Sequence, residues 1–143
     1  MTQVVAAHDN GCLSIYDYNS NKVVKQINEA HKDGISSLLF SNSGLHLITG
    51  CHDGSIKVWD IRTLQSIGEA KQAHGRKYDE GVLCLQTHPT VPFFASGGAD
   101  STVNIYELYV WFKLILFINI KINMFSINNI NLTKWKRIPH LSI

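Results

Sequence analysis

Paired cysteines, long apolar runs and, through residue 108, clustered positive charge are missing from this 143-residue sequence. Its three cysteines, Cys12, Cys51 and Cys84, are odd in number, widely spaced and free of any C-x-x-C pair. Neither a disulfide framework nor a zinc ribbon is indicated, and a reduced, cytoplasmic setting is expected. Met1 to Ala7 lacks a basic stretch followed by a long apolar one, so no secretory leader is expected. The longest apolar segment, Tyr109 to Ile118, is interrupted by Lys113 and falls well short of the roughly 20 residues that span a bilayer. Membrane anchoring is not expected. The seven histidines show no H-x-H, H-x-x-x-H or His-Cys spacing, which argues against a metal site.

Charge is modest, at a net +2, and unevenly distributed. Residues 109–143 carry Lys113, Lys121, Lys134, Lys136 and Arg137 with no acid, leaving eight basic and eleven acidic side chains in residues 1–108. Nucleic-acid binding depends on clustered Lys and Arg that neutralise phosphates. The first 108 residues offer no such stripe, so a nucleic-acid partner is not expected.

What the sequence does contain is a repeat. Ala30-His31 recurs as Ala73-His74, Gly50-Cys51-His52-Asp53-Gly54 as Gly97-Gly98-Ala99-Asp100-Ser101, and Ile56-Lys57-Val58-Trp59-Asp60 as Val103-Asn104-Ile105-Tyr106-Glu107. A partial copy opens the chain, with Ala7-His8-Asp9-Asn10-Gly11 leading into Leu13-Ser14-Ile15-Tyr16-Asp17. The spacing is 43 residues from Asp17 to Asp60 and 47 from Asp60 to Glu107, four extra residues lying between His74 and Val82. Apolar positions alternate with a period near two, as in Ile56 and Val58, which predicts strands. Turn residues separate them at Ser41-Asn42-Ser43-Gly44, His52-Asp53-Gly54-Ser55 and Arg62-Thr63-Leu64-Gln65. A four-stranded unit of this length cannot bury both faces alone, so consecutive copies must stack. With a period of roughly 40 to 45 residues, radial stacking into propeller blades is the expected outcome.

His31, Asp53 and Trp59-Asp60 resemble the GH to WD signature of WD repeats, although Ala30 stands where that signature has glycine. The resemblance implies an all-β, partial WD-repeat β-propeller with two nearly complete four-stranded blades plus part of a third. The blades are expected at residues 1–28, 30–71 and 73–108. It also implies a buried hydrogen-bonded chain in each blade: His31, Thr49, Asp53 and Trp59 in the second copy, and His74, Ser96, Asp100 and Tyr106 in the third. The chemistry suits the types. An indole N–H only donates, a hydroxyl accepts and passes on a proton, an imidazole does the same through two nitrogens, and a carboxylate ends the chain as acceptor. Tyr106 departs from the tryptophan of the signature, as do Asn10 and Tyr16 from the aspartate and tryptophan in the first copy.

A finer resemblance is carried by Gln72-Ala73-His74-Gly75-Arg76-Lys77-Tyr78-Asp79-Glu80, by Thr87-His88-Pro89 and by Ala95-Ser96-Gly97-Gly98-Ala99-Asp100. These look like the last blade of striatins, including its insertion after the histidine. Over residues 1 to about 108 the likeness implies a non-catalytic scaffold and regulatory subunit of protein phosphatase 2A that assembles kinases with the phosphatase in the complex called STRIPAK. The alternative is a WD-repeat adaptor subunit of another intracellular complex. Neither implies a cofactor or a small-molecule substrate.

As written, the chain holds too few blades to close, and residues before Met1 are expected to supply a partner strand. After Leu108 the composition shifts to Ile, Asn, Lys and Phe, with no Ala, Gly, Asp or Glu through Ile143. Such a shift is expected of translated noncoding sequence, a retained intron or misplaced splice boundary. Proteomic peptides from residues 112–137 would refute that origin. Val110 to Ile118 is β-prone and is expected to add a surrogate fourth strand to the last blade.

Two site readings remain. Thr49, His31 and Asp53 resemble a hydrolase triad, repeated by Ser96, His74 and Asp100 one blade later; recurrence in successive blades, with the hydroxyl in a strand interior, favours structure over catalysis. Arg76, Lys77 and Tyr78 form a charged, aromatic-containing loop of the kind that anchors protein interfaces, with Lys32, Asp33 and His52 on the same side.

Overall fold

The structure is a computed structural model that describes residues 3–111, 114–116 and 120–123, with side chains described for residues 3–108. Every regular element among these residues is a strand. The first sheet orders β1 (Gln3–Ala7), β2 (Leu13–Asp17) and β3 (Lys22–Ile27) as an antiparallel meander. The second is a four-stranded meander of β4 (Ile35–Phe40), β5 (His46–Cys51), β6 (Ile56–Asp60) and β7 (Gln65–Ala70). The third repeats it with β8 (Val82–Thr87), β9 (Phe93–Gly98) and β10 (Thr102–Glu107).

Turn chemistry sets the register. Gly44 and Gly54 adopt φ of +70° and +87°, as the Ser-Gly and Asp-Gly turns require. At the Arg62–Gln65 turn, Leu64 takes φ +56° and donates its N–H to the Asp60 carbonyl at 2.7 Å.

The sheets stack face to face, each junction holding one apolar cluster. Between the first and second sheets lie Leu13, Ala30, Ile35, Leu47 and Trp59. Between the second and third lie Ile48, Ile56, Val58, Val82, Leu85, Phe94, Tyr106 and Leu108. Both faces of the middle sheet are thereby removed from water, as the alternation predicts. Polar bonds tie the innermost strands together: the Ser36 hydroxyl donates to the carbonyl of Val82, and the N–H of Leu85 donates to Ser37 Oγ at 3.2 Å.

The open edge of the third sheet is where structure and expectation part. The strand added beside β10 is β13 (Ile120–Asn123), paired antiparallel with Thr102↔Asn123 and Ile105↔Ile120, and not Val110 to Ile118. Within that nearer segment β11 (Tyr109–Trp111) and β12 (Leu114–Leu116) pair with each other. Running directly out of β10, residues 109–111 cannot reverse in time to lie beside it, whereas residues 120–123 have chain enough to return. The remaining tail, and with it the noncoding-origin expectation, lies outside the described residues. Among the described residues no helix is long and apolar enough to cross a membrane.

Candidate functional site

In a meander the connections alternate between two ends of the sheet. Residues 28–34, 52–55, 71–81 and 99–101 therefore emerge together at one end, and the histidines of the repeat sit just beneath them.

In the middle sheet the Trp59 indole N–H donates to Thr49 Oγ1 at 2.9 Å, and Thr49 Oγ1 meets His31 Nε2 at 2.7 Å. The other imidazole nitrogen, Nδ1, meets Ser55 Oγ at 3.1 Å. Asp53 does not contact His31 directly in this chain. Its Oδ1 accepts the Ser55 N–H at 2.8 Å, and the Ser55 side chain also bonds to its carboxylate. The sequence expectation thus needs one correction: a serine is interposed between imidazole and aspartate. A single direction of proton donation satisfies the chain, with His31 carrying its proton on Nδ1.

The last blade uses a shorter circuit. His74 Nε2 meets Ser96 Oγ at 2.6 Å, and Nδ1 lies 3.0 Å from Asp100 Oδ1 and 3.1 Å from Thr102 Oγ1. Thr102 Oγ1 donates to Asp100 Oδ1 at 2.6 Å, and Gly75 N–H donates to Oδ2 at 2.9 Å. Desolvation raises the pKa of the Tyr106 hydroxyl, opposed in part by the Ser96 and Asn104 side chains beside it. Tyr106 also stacks on Phe94 with ring centroids 4.7 Å apart. Ser55, Thr102 and Asn104 were missed from the sequence. The signal for the first two was a hydroxyl two residues after each turn aspartate, where an Asx turn brings the side chain back onto the carboxylate.

In the opening copy, Asn10 Oδ1 accepts the Cys12 N–H at 3.1 Å, reproducing the Asp53 turn without its charge, and His8 Nε2 meets Ser14 Oγ at 2.8 Å.

Burial governs the electrostatics. Desolvation, reinforced by repulsion from Lys57 and only partly opposed by Asp53, lowers the His31 pKa to about 4, so the ring is neutral at pH 7. Desolvation would raise the Asp100 carboxyl, but the bonds from Thr102, Gly75 and His74 outweigh it and hold it well below the ordinary range. Asp53 is likewise lowered, its Ser55 bonds overcoming desolvation.

Folding brings His31, Cys51 and Asp53 together, with donor atoms within 4.8 Å of one another. No sequence spacing foretold this grouping, because strand pairing rather than proximity along the chain creates it. Each donor is already committed: both imidazole nitrogens bond to hydroxyls, burial pushes the Cys51 thiol up to about 11, and its Sγ donates to the Asp33 carbonyl at 3.3 Å. A cation there would have to displace those bonds. The triad-like sets are equally enclosed. Thr49 is 0% and Ser96 1% exposed, which leaves no approach to either hydroxyl for a substrate carbonyl.

The loop side is different. The 71–81 connection ends in a tight reversal, with Lys77 and Glu80 exchanging backbone hydrogen bonds of 2.8 and 3.0 Å. Its central residues, Tyr78 and Asp79, have φ of +54° and +64°, the left-handed pair of a type I′ hairpin turn. Tyr78 is 87% exposed, with Lys77 Nζ 5.3 Å from its ring centroid. Arg76 anchors the loop through Nη2, 3.0 Å from Asp33 Oδ2 on the preceding connection and 3.5 Å from Asp79 Oδ1. Lys32 is exposed beside Asp33, while His52 is half-buried, its backbone N–H donating to Gly34 O at 2.9 Å. Of the interface candidates, Asp33, Arg76, Lys77 and Tyr78 are thus linked through contacts; Lys32 and His52 flank them.

Stacked antiparallel sheets, each with a histidine bonded to a strand hydroxyl under one set of loops, define a β-propeller of the WD type. The WD domain, G-beta repeat family (WD40) matches residues 21–60 and 69–107, and this chain belongs to it. Each match begins at or within the outer strand of one sheet and runs through the first three strands of the next, so the repeat unit straddles a blade junction. Within that family the chain is similar to the striatin homolog of Dictyostelium discoideum, 43% identical over 93 residues that cover 65% of this chain and 11% of the relative. Human striatin is 31% identical over 71% of this chain and 13% of its own length. The chain therefore spans only about a tenth of the length of these relatives. Among solved structures, the β-propeller domain of Cps50 (Swd1) from Myceliophteria thermophila matches 84% of this chain and 35% of its own, with TM-score 0.65 and 16% identity. That likeness establishes the fold.

Proposed function

We propose that this chain is part of a non-catalytic, cytoplasmic protein-interaction scaffold, a striatin-like regulatory subunit that assembles kinases with protein phosphatase 2A. The observation that carries the interaction role is the Tyr78 turn. A large aromatic side chain stands in water at the tip of an insertion, in a left-handed conformation that costs a non-glycine residue about 1 kcal/mol. Aromatic and Arg side chains held rigidly at a surface are the usual anchors of protein interfaces. Arg76 pre-orders the loop by fixing it to Asp33, which lowers the entropy lost on binding. Similarity to striatins over residues that include this insertion supports the phosphatase assembly as the partner class.

The test is affinity capture with the full-length product and its Tyr78→Ala variant, quantified by mass spectrometry. Depletion of phosphatase and kinase subunits by the variant supports the proposal. Recovery of a different assembly, sensitive to the same substitution, favours the adaptor alternative. Equal capture by both proteins overturns the role of the loop.

A further inference from the structure

A cavity of about 300 Å³ opens at the loop end of the middle blade, with His31, Asp53, Ser55 and Glu69 among its lining residues. Three lysines converge on it from different elements: Lys32 from the β3–β4 connection, Lys57 from β6 and Lys71 from the end of β7. We propose that this cavity receives a phosphorylated side chain of a partner protein. The inference rests on the interaction role above; the cavity opens at the same end of the sheet as the Tyr78 turn but shares no lining residue with it.

Charge accounting favours an anion. Lys57 is partly spoken for, with Nζ donating to the Ala30 carbonyl at 2.7 Å and lying 3.9 Å from Glu69. The Asp53 carboxylate turns into its own loop to accept from Ser55. Lys32 and Lys71 form no ion pair among the described residues, and the lining sets Lys32, Lys57 and Lys71 against Asp53 and Glu69, a net charge of +1. A phosphoryl group matches the cavity in sign, with Lys32 and Lys71 free to meet it, and lysine binds phosphate as a point charge without demanding one geometry.

The repeat itself does not require these lysines. Gly75 and Asn104 occupy the corresponding positions in the last blade, where Asn104 Nδ2 donates to the Ala73 carbonyl just as Lys57 donates to that of Ala30. The backbone-bonding role is thus met by a neutral amide, and the added charge in the middle blade is surplus to the fold. A single enclosed group suits the volume better than a polyanion does, because residues 1–108 carry more acids than bases and would repel a nucleic-acid backbone.

The full chain, ¹⁵N-labelled, is titrated with N-acetyl-O-phosphoserine methylamide, its dephosphorylated form and inorganic phosphate. Saturable shifts at the amides of His31, Lys32 and Ser55 are expected with the phosphoserine probe. Both exposed lysines tolerate substitution, and a Lys32→Gln, Lys71→Gln double variant should weaken binding by about tenfold or more while keeping the dispersed spectrum. Tyr78→Ala should leave the probe's affinity unchanged, which separates this site from the loop. Non-saturable shifts, or equal affinity in the double variant, overturn the inference even if partner capture through Tyr78 succeeds. Inorganic phosphate binding as tightly as the probe assigns the cavity to a free anion, and tighter displacement by a uridylate decamer assigns it to nucleic acid; either result also overturns it.

Discussion

The backbone N–H of His74 donates to the carbonyl of Gly54 at 3.1 Å, joining the start of the last blade to the Asp-Gly turn of the blade before it. One repeat earlier His31 makes the same bond to Gly11, at 3.0 Å. The histidine of each blade is therefore held from two directions, by its own blade's hydroxyls and by its neighbour's turn.

Gly54→Ala should cost about 2 kcal/mol or more, because a Cβ there would collide with the His74 carbonyl oxygen and the residue holds φ +87°. Gly44→Ala is the control. Gly44 has φ +70° with open space around it, so its cost should stay near 1 kcal/mol. Urea unfolding of both variants measures the difference, which isolates the blade junction from backbone strain.

Stability should fall with acidification between pH 6.5 and about 4. The folded protein keeps His31 neutral down to about 4, whereas the unfolded chain takes up that proton near 6.5, so protons favour unfolding throughout this window. The full effect is at most about 3 kcal/mol, complete below the folded-state value. Denaturation midpoints across the window, compared with His31→Gln, test the assignment: the variant should lose that portion of the slope. A further loss below pH 3.8 is expected as Asp100, lowered in the fold, is protonated in the unfolded chain.

Trp59→Phe removes the donor to Thr49 and should destabilise by about 1 to 3 kcal/mol, and Thr49→Val by a similar amount. The two losses should not add, because both break one chain. A double-mutant cycle by urea titration measures the coupling, and strict additivity would contradict a connected network.

Ser96→Ala leaves His74 Nε2 without its hydroxyl partner and should cost about 1 to 3 kcal/mol. Hydrolysis of an activated ester should be the same before and after the substitution. A drop in turnover in a variant shown to remain folded would restore the enzyme reading.

Asp79→Gly should stabilise the fold by about 1 kcal/mol, since glycine relieves φ +64° at an exposed position. Tyr78→Gly should stabilise it comparably while weakening partner capture. Opposite signs for stability and binding at one residue would mark the strain as serving recognition, and thermal melts with parallel capture assays read both.

Much of the fold was legible in advance because the repeat is local. Alternation in Ile56 and Val58, the Asp-Gly turn and the recurrence of Ala-His at a fixed interval each depend on neighbours within a few residues, where propensity and turn geometry act. His31, Thr49 and Trp59 were expected together only through the resemblance to WD repeats, since they lie on separate elements that no local window joins. Ser55 was not, because whether a carboxylate meets an imidazole directly or through a hydroxyl depends on side-chain rotamers within about an ångström. The returning strand was misplaced because β-propensity marks Val110 to Ile118 and Ile120 to Asn123 alike, and only chain reversal selects between them.

The sequence by itself determined the strand count per repeat and the turns between strands, since these follow from side-chain period and turn chemistry. Tertiary structure alone decided which residues from separate elements share a space: Arg76 with Asp33, Cys51 with His31, and three lysines around one cavity. Such meetings depend on how successive sheets twist and stack, a long-range outcome that no window of neighbouring residues encodes.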